Sequence, residues 1–182
     1  MTLTESSITL DFPDDNYFRF QDCEGYKTIQ HHFKEMDVCW YEHETDTLYI
    51  IELKDWKNNK LDEESDTKFS AAQIQEMKEG ISKHRLNELW KKSIDSICMI
   101  MSVLMQKPYS SKIKQCATFK LSDKTKIKLI SVINWIDPDV SYLVNMNTAY
   151  KSKLQSYSKL FDIKMFAVLT KKQASEKFSW IK

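Results

Sequence analysis

Between Asp37 and Trp56 the chain reads DVCWYEHETDTLYIIELKDW, two apolar runs around a polar turn, and this alternation leaves few ways to fold. Strands over 37–43 and 47–55 pair as an antiparallel hairpin around Glu44-Thr45-Asp46-Thr47. Val38, Trp40, Tyr49, Ile51 and Leu53 then share one face, and that face belongs to the core. A one-residue slip would turn all of them toward water, so burial fixes the parity of the pairing. The turn sets Asp37 opposite Lys54 and Cys39 opposite Glu52. Asp37, Glu52 and Lys54 therefore project together from the other face. Two carboxylates and an ammonium on one face of so apolar a hairpin need a reason.

The rest of the chain supplies a frame for that hairpin. No repeat, low-complexity segment or Pro/Gly-rich linker divides residues 1–182, and the length suits a single domain. YFRFQD (17–22) and the YKTIQHHF that follows read as strands, or as a strand and a turn. The polar, aperiodic stretch at about 57–69 reads as a mobile loop. Over 70–106, Leu86, Trp90, Ile94, Ile97, Met101 and Leu104 recur at spacings of three and four, the buried stripe of a long helix that Pro108 ends. TKIKLISVINWI (125–136) is a strand, Asp137-Pro138-Asp139 cap a helix to about residue 160, and DIKMFAVLT (162–170) is a last strand. Antiparallel strands, helix, strand, helix, strand predict an α/β fold with a central mixed β-sheet flanked by helices.

Several function classes drop out. Only Gly25 and Gly80 are glycines, which excludes the P-loop and the dinucleotide fingerprint, since both need backbone to approach phosphates closely. Cys23, Cys39, Cys98 and Cys116 have no CxxC spacing and form no zinc signature with the four histidines, so they read as reduced core residues of a cytoplasmic protein. Adjacent His31 and His32 read as a surface turn or mixed strand. The N-terminus has no basic and apolar leader, and ICMIMSVLM (97–105) is too short to span a bilayer, so no membrane is expected. No serine or cysteine sits in a nucleophile motif. The net charge of +1 hides an asymmetry: residues 1–106 hold 12 Lys+Arg against 21 Asp+Glu, whereas 107–182 hold 15 against 5. An acidic half beside a basic one suits a cation site next to a polyanion-binding surface, with Lys126 and Lys128 the best-placed phosphate contacts.

Two facing carboxylates repel, and a hard divalent cation relieves that repulsion. Asp37 and Glu52 each offer an oxygen to Mg²⁺ or Mn²⁺, and the Leu53 carbonyl a third. Lys54 beside them would position the attacking water and offset charge growing on phosphorus. Asp37, a gap of fourteen residues and then Glu52-x-Lys54 at the end of an apolar strand resembles the PD-(D/E)xK nuclease superfamily. The resemblance implies a restriction endonuclease-like core and metal-dependent phosphodiester hydrolysis. Asp37 and Glu52 would hold the metal, and Lys54 would assist the water. Met36 stands where the namesake proline would be, and Pro13-Asp14 lies too far from Glu52 to replace it. Many members add a glutamate from a preceding helix, for which Glu24 and Glu35 are candidates, and polar residues of the following helix, here Lys91 or Lys92. The implied partner is nucleic acid, DNA ahead of RNA. A homodimer or partner protein would supply specificity, in a setting such as prokaryotic defence. The alternative is a nuclease-like fold kept as a binding or scaffolding module without catalysis. In the bland variant, Asp37 and Lys54 form a cross-strand ion pair and Glu52 faces solvent.

Overall fold

A computed structural model describes residues 2–56, 70–114, 121–135 and 141–182. The expected mobile loop at 57–69 and the Asp137-Pro138-Asp139 cap lie outside them. A mixed sheet of five strands forms the middle layer, in the order β3 (Tyr17–Phe18), β4 (Val38–Glu42), β5 (Thr47–Asp55), β6 (Lys126–Asn134) and β7 (Ile163–Thr170). β3, β4 and β5 pair antiparallel, whereas β5, β6 and β7 run parallel. The parallel half requires crossovers, and two long helices provide them: α2 (Ala71–Leu104) between β5 and β6, and α4 (Ser141–Phe161) between β6 and β7. The expected α/β architecture, a central mixed sheet with helices on its faces, is thus observed.

The hairpin pairs in a different register from the one its turn suggested. Val38 faces Ile51 and Glu42 faces Thr47, two residues away from the pairing that set Asp37 against Lys54. The cause is a four-residue loop, His43 to Asp46, closed by Asp46 at φ 48°. Tyr41 and Thr125 hydroxyls hold the Asp46 carboxylate in that left-handed position. A shift of two keeps every side chain on its face, so Asp37, Glu52 and Lys54 still share one face and Val38, Trp40, Tyr49, Ile51 and Leu53 the other.

Both faces are covered. One buries Val38, Trp40, Tyr49, Ile51 and Leu53 with Ile130 and Val132, under Phe178, Trp180 and an N-terminal hairpin. That hairpin, β1 (Thr2–Glu5) and β2 (Ile8–Asp11), turns through Ser6 and Ser7 at φ 52° and 59°. It escaped the sequence reading because neither turn residue is Gly or Asn. The other face packs Cys39, Leu48, Ile50 and Leu129 against Leu89, Ile97 and Ile100 of α2 and Tyr150 and Leu154 of α4. The buried stripe of α2 is therefore rotated from the expected one. Leu89, Ser93, Ser96 and Ile97 are fully buried, while Leu86, Trp90, Ile94, Met101 and Leu104 only flank the core. Apolar periodicity misplaces the stripe because two of its members are serines, whose hydroxyls bond Leu89 O and Met36 N.

Two further expectations fail. Of the two readings for 17–22 and the YKTIQHHF that follows, all-strand fails: Tyr17–Phe18 is strand, but a 3₁₀ turn, Phe20–Asp22, and the short helix α1, Glu24–Lys27, come after it. Gly25 permits α1 to meet α3 (Ser111–Lys114), because a Cβ there would lie 2.7 Å from Lys112 Cβ. Cys23, just before α1, is disulfide-bonded rather than reduced, and Cys98 is an exposed free thiol rather than a core residue. Cysteine usage therefore gives no argument for a reducing compartment. Among the described residues no helix is long and apolar enough to cross a membrane. The C-terminal α5 (Lys171–Lys177), capped by Thr170 and Gln173, was also not foreseen.

Candidate functional site

Asp37, Glu52 and Lys54 meet at the C-terminal end of β5, where the antiparallel half of the sheet gives way to the parallel half. The ladder with β4 ends at Val38 and Ile51, so Leu53 has lost its strand partner on that side. Side chains replace it. The Leu53 amide donates to Asp37 Oδ2 at 2.7 Å, and Ser6 Oγ, from the tip of the β1–β2 hairpin, donates to the Leu53 carbonyl at 3.2 Å. Asp37 is held from behind by Arg19, whose Nε donates to the Asp37 carbonyl at 3.0 Å while its other end pairs with Glu5. Met36 N–H on Ser96 pins the same segment to α2.

Glu52 is completely buried, beside Ser131 on β6, and so needs counter-charge. Two ammoniums supply it: Lys92 Nζ lies 2.6 Å from Glu52 Oε1, and Lys54 Nζ lies 3.2 Å from the same oxygen. Lys92 also reaches Asp37 Oδ1 at 3.5 Å, and Lys54 pairs with Glu88 at 2.7 Å. Even so, burial and then the Asp37 charge push the Glu52 carboxyl up to about 7, against the pull of both lysines. Lys54 moves the other way. Burial opposes its charge, but Glu52 and Glu88 outweigh that and hold the ammonium above its ordinary value. Burial likewise opposes ionisation of Glu88, but Lys54 keeps its carboxyl below the usual range. Lys54 is therefore a fixed positive charge rather than a proton acceptor.

The bland arrangement is absent: Glu52 does not face solvent, and Lys54 pairs with Glu52 and Glu88. Of the helix candidates, Lys92 enters the site, while Lys91 turns to Asp95 and the His32 carbonyl. Glu24 pairs with Lys27 on the exposed side of α1. Glu35 is half-buried nearby; burial raises its carboxyl pKa, and the charges of Lys92 and Asp37 act on it. Sequence reasoning missed Glu88, although its position one turn before Lys92 was a usable signal. Lys126 and Lys128 do not join the site. They pair with Thr47 and Tyr49 at the opposite end of β5, and Lys128 lies over the Tyr49 ring. Trp56 is buried beneath Arg85, and His31 and His32 are exposed.

Among the described residues no three His, Cys, Asp or Glu side chains gather as a ready-made metal cluster. The donor set is smaller: two carboxylates and the Leu53 carbonyl, which keeps a second lone pair beside its bond to Ser6. Mg²⁺ retains several waters and is often held by one or two carboxylates, so this set fits it. An orphaned atom supports the fit, because Glu52 Oε2 is buried without a hydrogen-bond partner. Comparison with protein-family models, with curated proteins and with solved structures returns no match.

Proposed function

We propose that this protein is a divalent-metal-dependent nuclease that hydrolyses phosphodiester bonds, with DNA the first substrate to test. The observation that carries the reading is Glu52, fully buried beside Asp37 and Lys54 with one carboxylate oxygen unpaired. Asp37, Glu52 and the Leu53 carbonyl would hold Mg²⁺ or Mn²⁺. The metal, when bound, polarises phosphoryl oxygens and lowers the pKa of a bound water. Lys54 stays an ammonium between Glu52 and Glu88, placed to attract an anionic phosphate and to offset the charge that builds on it. Arg19, Ser6 and Ser96 fix the backbone of both acid-bearing segments. Lys171, bonded to Ser7 O on the hairpin tip that holds Leu53, and Lys153, bonded to Asn87 next to Glu88, are basic residues tied to the segments that carry this constellation. They replace Lys126 and Lys128 as the expected backbone-phosphate contacts. Specificity would come from a second copy or a partner protein.

A second reading has its own observation. Both carboxylates already have a lysine partner, Lys92 for the two of them and Lys54 for Glu52, which suits a nuclease-like module that binds without cleaving. One experiment separates the two. Wild type and Glu52→Gln are incubated with plasmid, single-stranded DNA and RNA in Mg²⁺, Mn²⁺ or EDTA. The nuclease reading expects cleavage that EDTA abolishes and that falls about 100-fold or more in the folded variant. Absence of both cleavage and divalent binding in the wild type leaves the binding module.

A further inference from the structure

We propose that Lys92 is a built-in counter-cation of the Asp37–Glu52 pair, and that a divalent cation takes the pair by displacing it. The inference rests on the metal-site reading above and adds how the site is loaded. One ammonium spans both acids, at 2.6 Å from Glu52 Oε1 and 3.5 Å from Asp37 Oδ1. Lys54 does not span them, being committed to Glu52 and Glu88. A fully buried carboxylate facing a second one is costly to ionise without a positive charge beside it, and Lys92 is the ammonium that reaches both acids before any metal arrives.

The pairing is incomplete in a way that a purely structural ion pair would not be. Glu52 Oε2 stays without a partner, and the contact to Asp37 is at the long limit of a hydrogen bond. A multivalent cation with its own waters satisfies more of these oxygens than one ammonium can. The residue type also suits release. Lysine is a point charge on a flexible four-carbon stem, whereas arginine would lock both acids through a planar fork. Lys92 also has somewhere to go. Glu88 stands one helical turn earlier on α2, engages Lys54 through Oε1, and lies at the i, i+4 spacing at which opposite charges meet.

The test uses the full chain, with Mn²⁺ as the probe of affinity and Mg²⁺ as the probe of displacement. Manganese affinity is measured by calorimetry or electron paramagnetic resonance for wild type, Lys92→Met and Lys92→Arg, with circular dichroism to verify folding. In parallel, wild type is reductively methylated with and without Mg²⁺, and Lys92 and Lys91 are quantified by tandem mass spectrometry, Lys91 serving as internal control. Displacement predicts that Lys92→Met binds Mn²⁺ about tenfold more tightly and that Lys92→Arg binds it several-fold more weakly. It also predicts that methylation of Lys92, but not of Lys91, rises when Mg²⁺ is added. If wild type binds Mn²⁺ while Lys92→Met shows unchanged affinity, or Lys92 methylation ignores Mg²⁺, displacement is wrong and the metal site stands. Failure of both wild type and Lys92→Met to bind Mn²⁺ overturns the metal-site reading itself.

Discussion

Asp37 Oδ2 accepts the Leu53 amide proton at 2.7 Å, so one carboxylate serves both as a candidate metal ligand and as the strand partner that β4 no longer provides. These roles separate by mutation. Asp37→Asn keeps an amide oxygen for Leu53 and should lose less than about 1 kcal/mol, whereas Asp37→Ala leaves a buried N–H unpaired and should lose about 1–3 kcal/mol. Both variants should lose divalent binding. Urea unfolding of the two proteins checks this, and equal stability of Asp37→Ala and wild type would show that the Leu53 amide does not depend on Asp37.

Glu52 makes stability depend on pH in a direction opposite to that of most carboxylates. Its carboxyl rises from an ordinary value of 4.5 to about 7 on folding, through burial first and the Asp37 charge second. Below both values the group is protonated in folded and unfolded chains alike. Between them the folded chain holds the proton that the unfolded chain releases, so this group's contribution is lost as pH rises from 4.5 to about 7, then levels. In metal-free buffer, the difference in melting temperature between Glu52→Gln and wild type should therefore grow across that window in favour of the variant. Parallel profiles for the two proteins would show that Glu52 titrates normally.

The two glycines should respond in opposite senses. A Cβ at Gly80, inside α2, meets nothing within 4 Å among the described residues, so Gly80→Ala should stabilise by about 0.5–1 kcal/mol through helix propensity. A Cβ at Gly25 meets Lys112 Cβ at 2.7 Å and the Lys112 carbonyl carbon at 2.9 Å, and a backbone atom cannot rotate away. Gly25→Ala should cost about 1–3 kcal/mol as overpacking. Denaturant midpoints decide both, and a destabilised Gly80→Ala would mean that α2 is not a continuous helix there.

The sequence by itself determined which residues share a face. Period-two burial around Val38, Trp40, Ile51 and Leu53 put Asp37, Glu52 and Lys54 on the other side, and no register shift by an even number changes that. It likewise determined the chain order of hairpin, long helix, strand, helix and strand, from which a mixed sheet with helices on its faces follows. Only the tertiary structure decided the rest. The two-residue register shift came from Asp46 in a left-handed turn, stabilised by Thr125, a contact 79 residues away in the chain. The rotation of α2 came from serines buried by specific hydrogen bonds, which apolar periodicity cannot register. That rotation is what delivers Glu88 and Lys92 to the acids. A local pattern records which way each side chain points, but which distant charges meet there depends on how the helix docks.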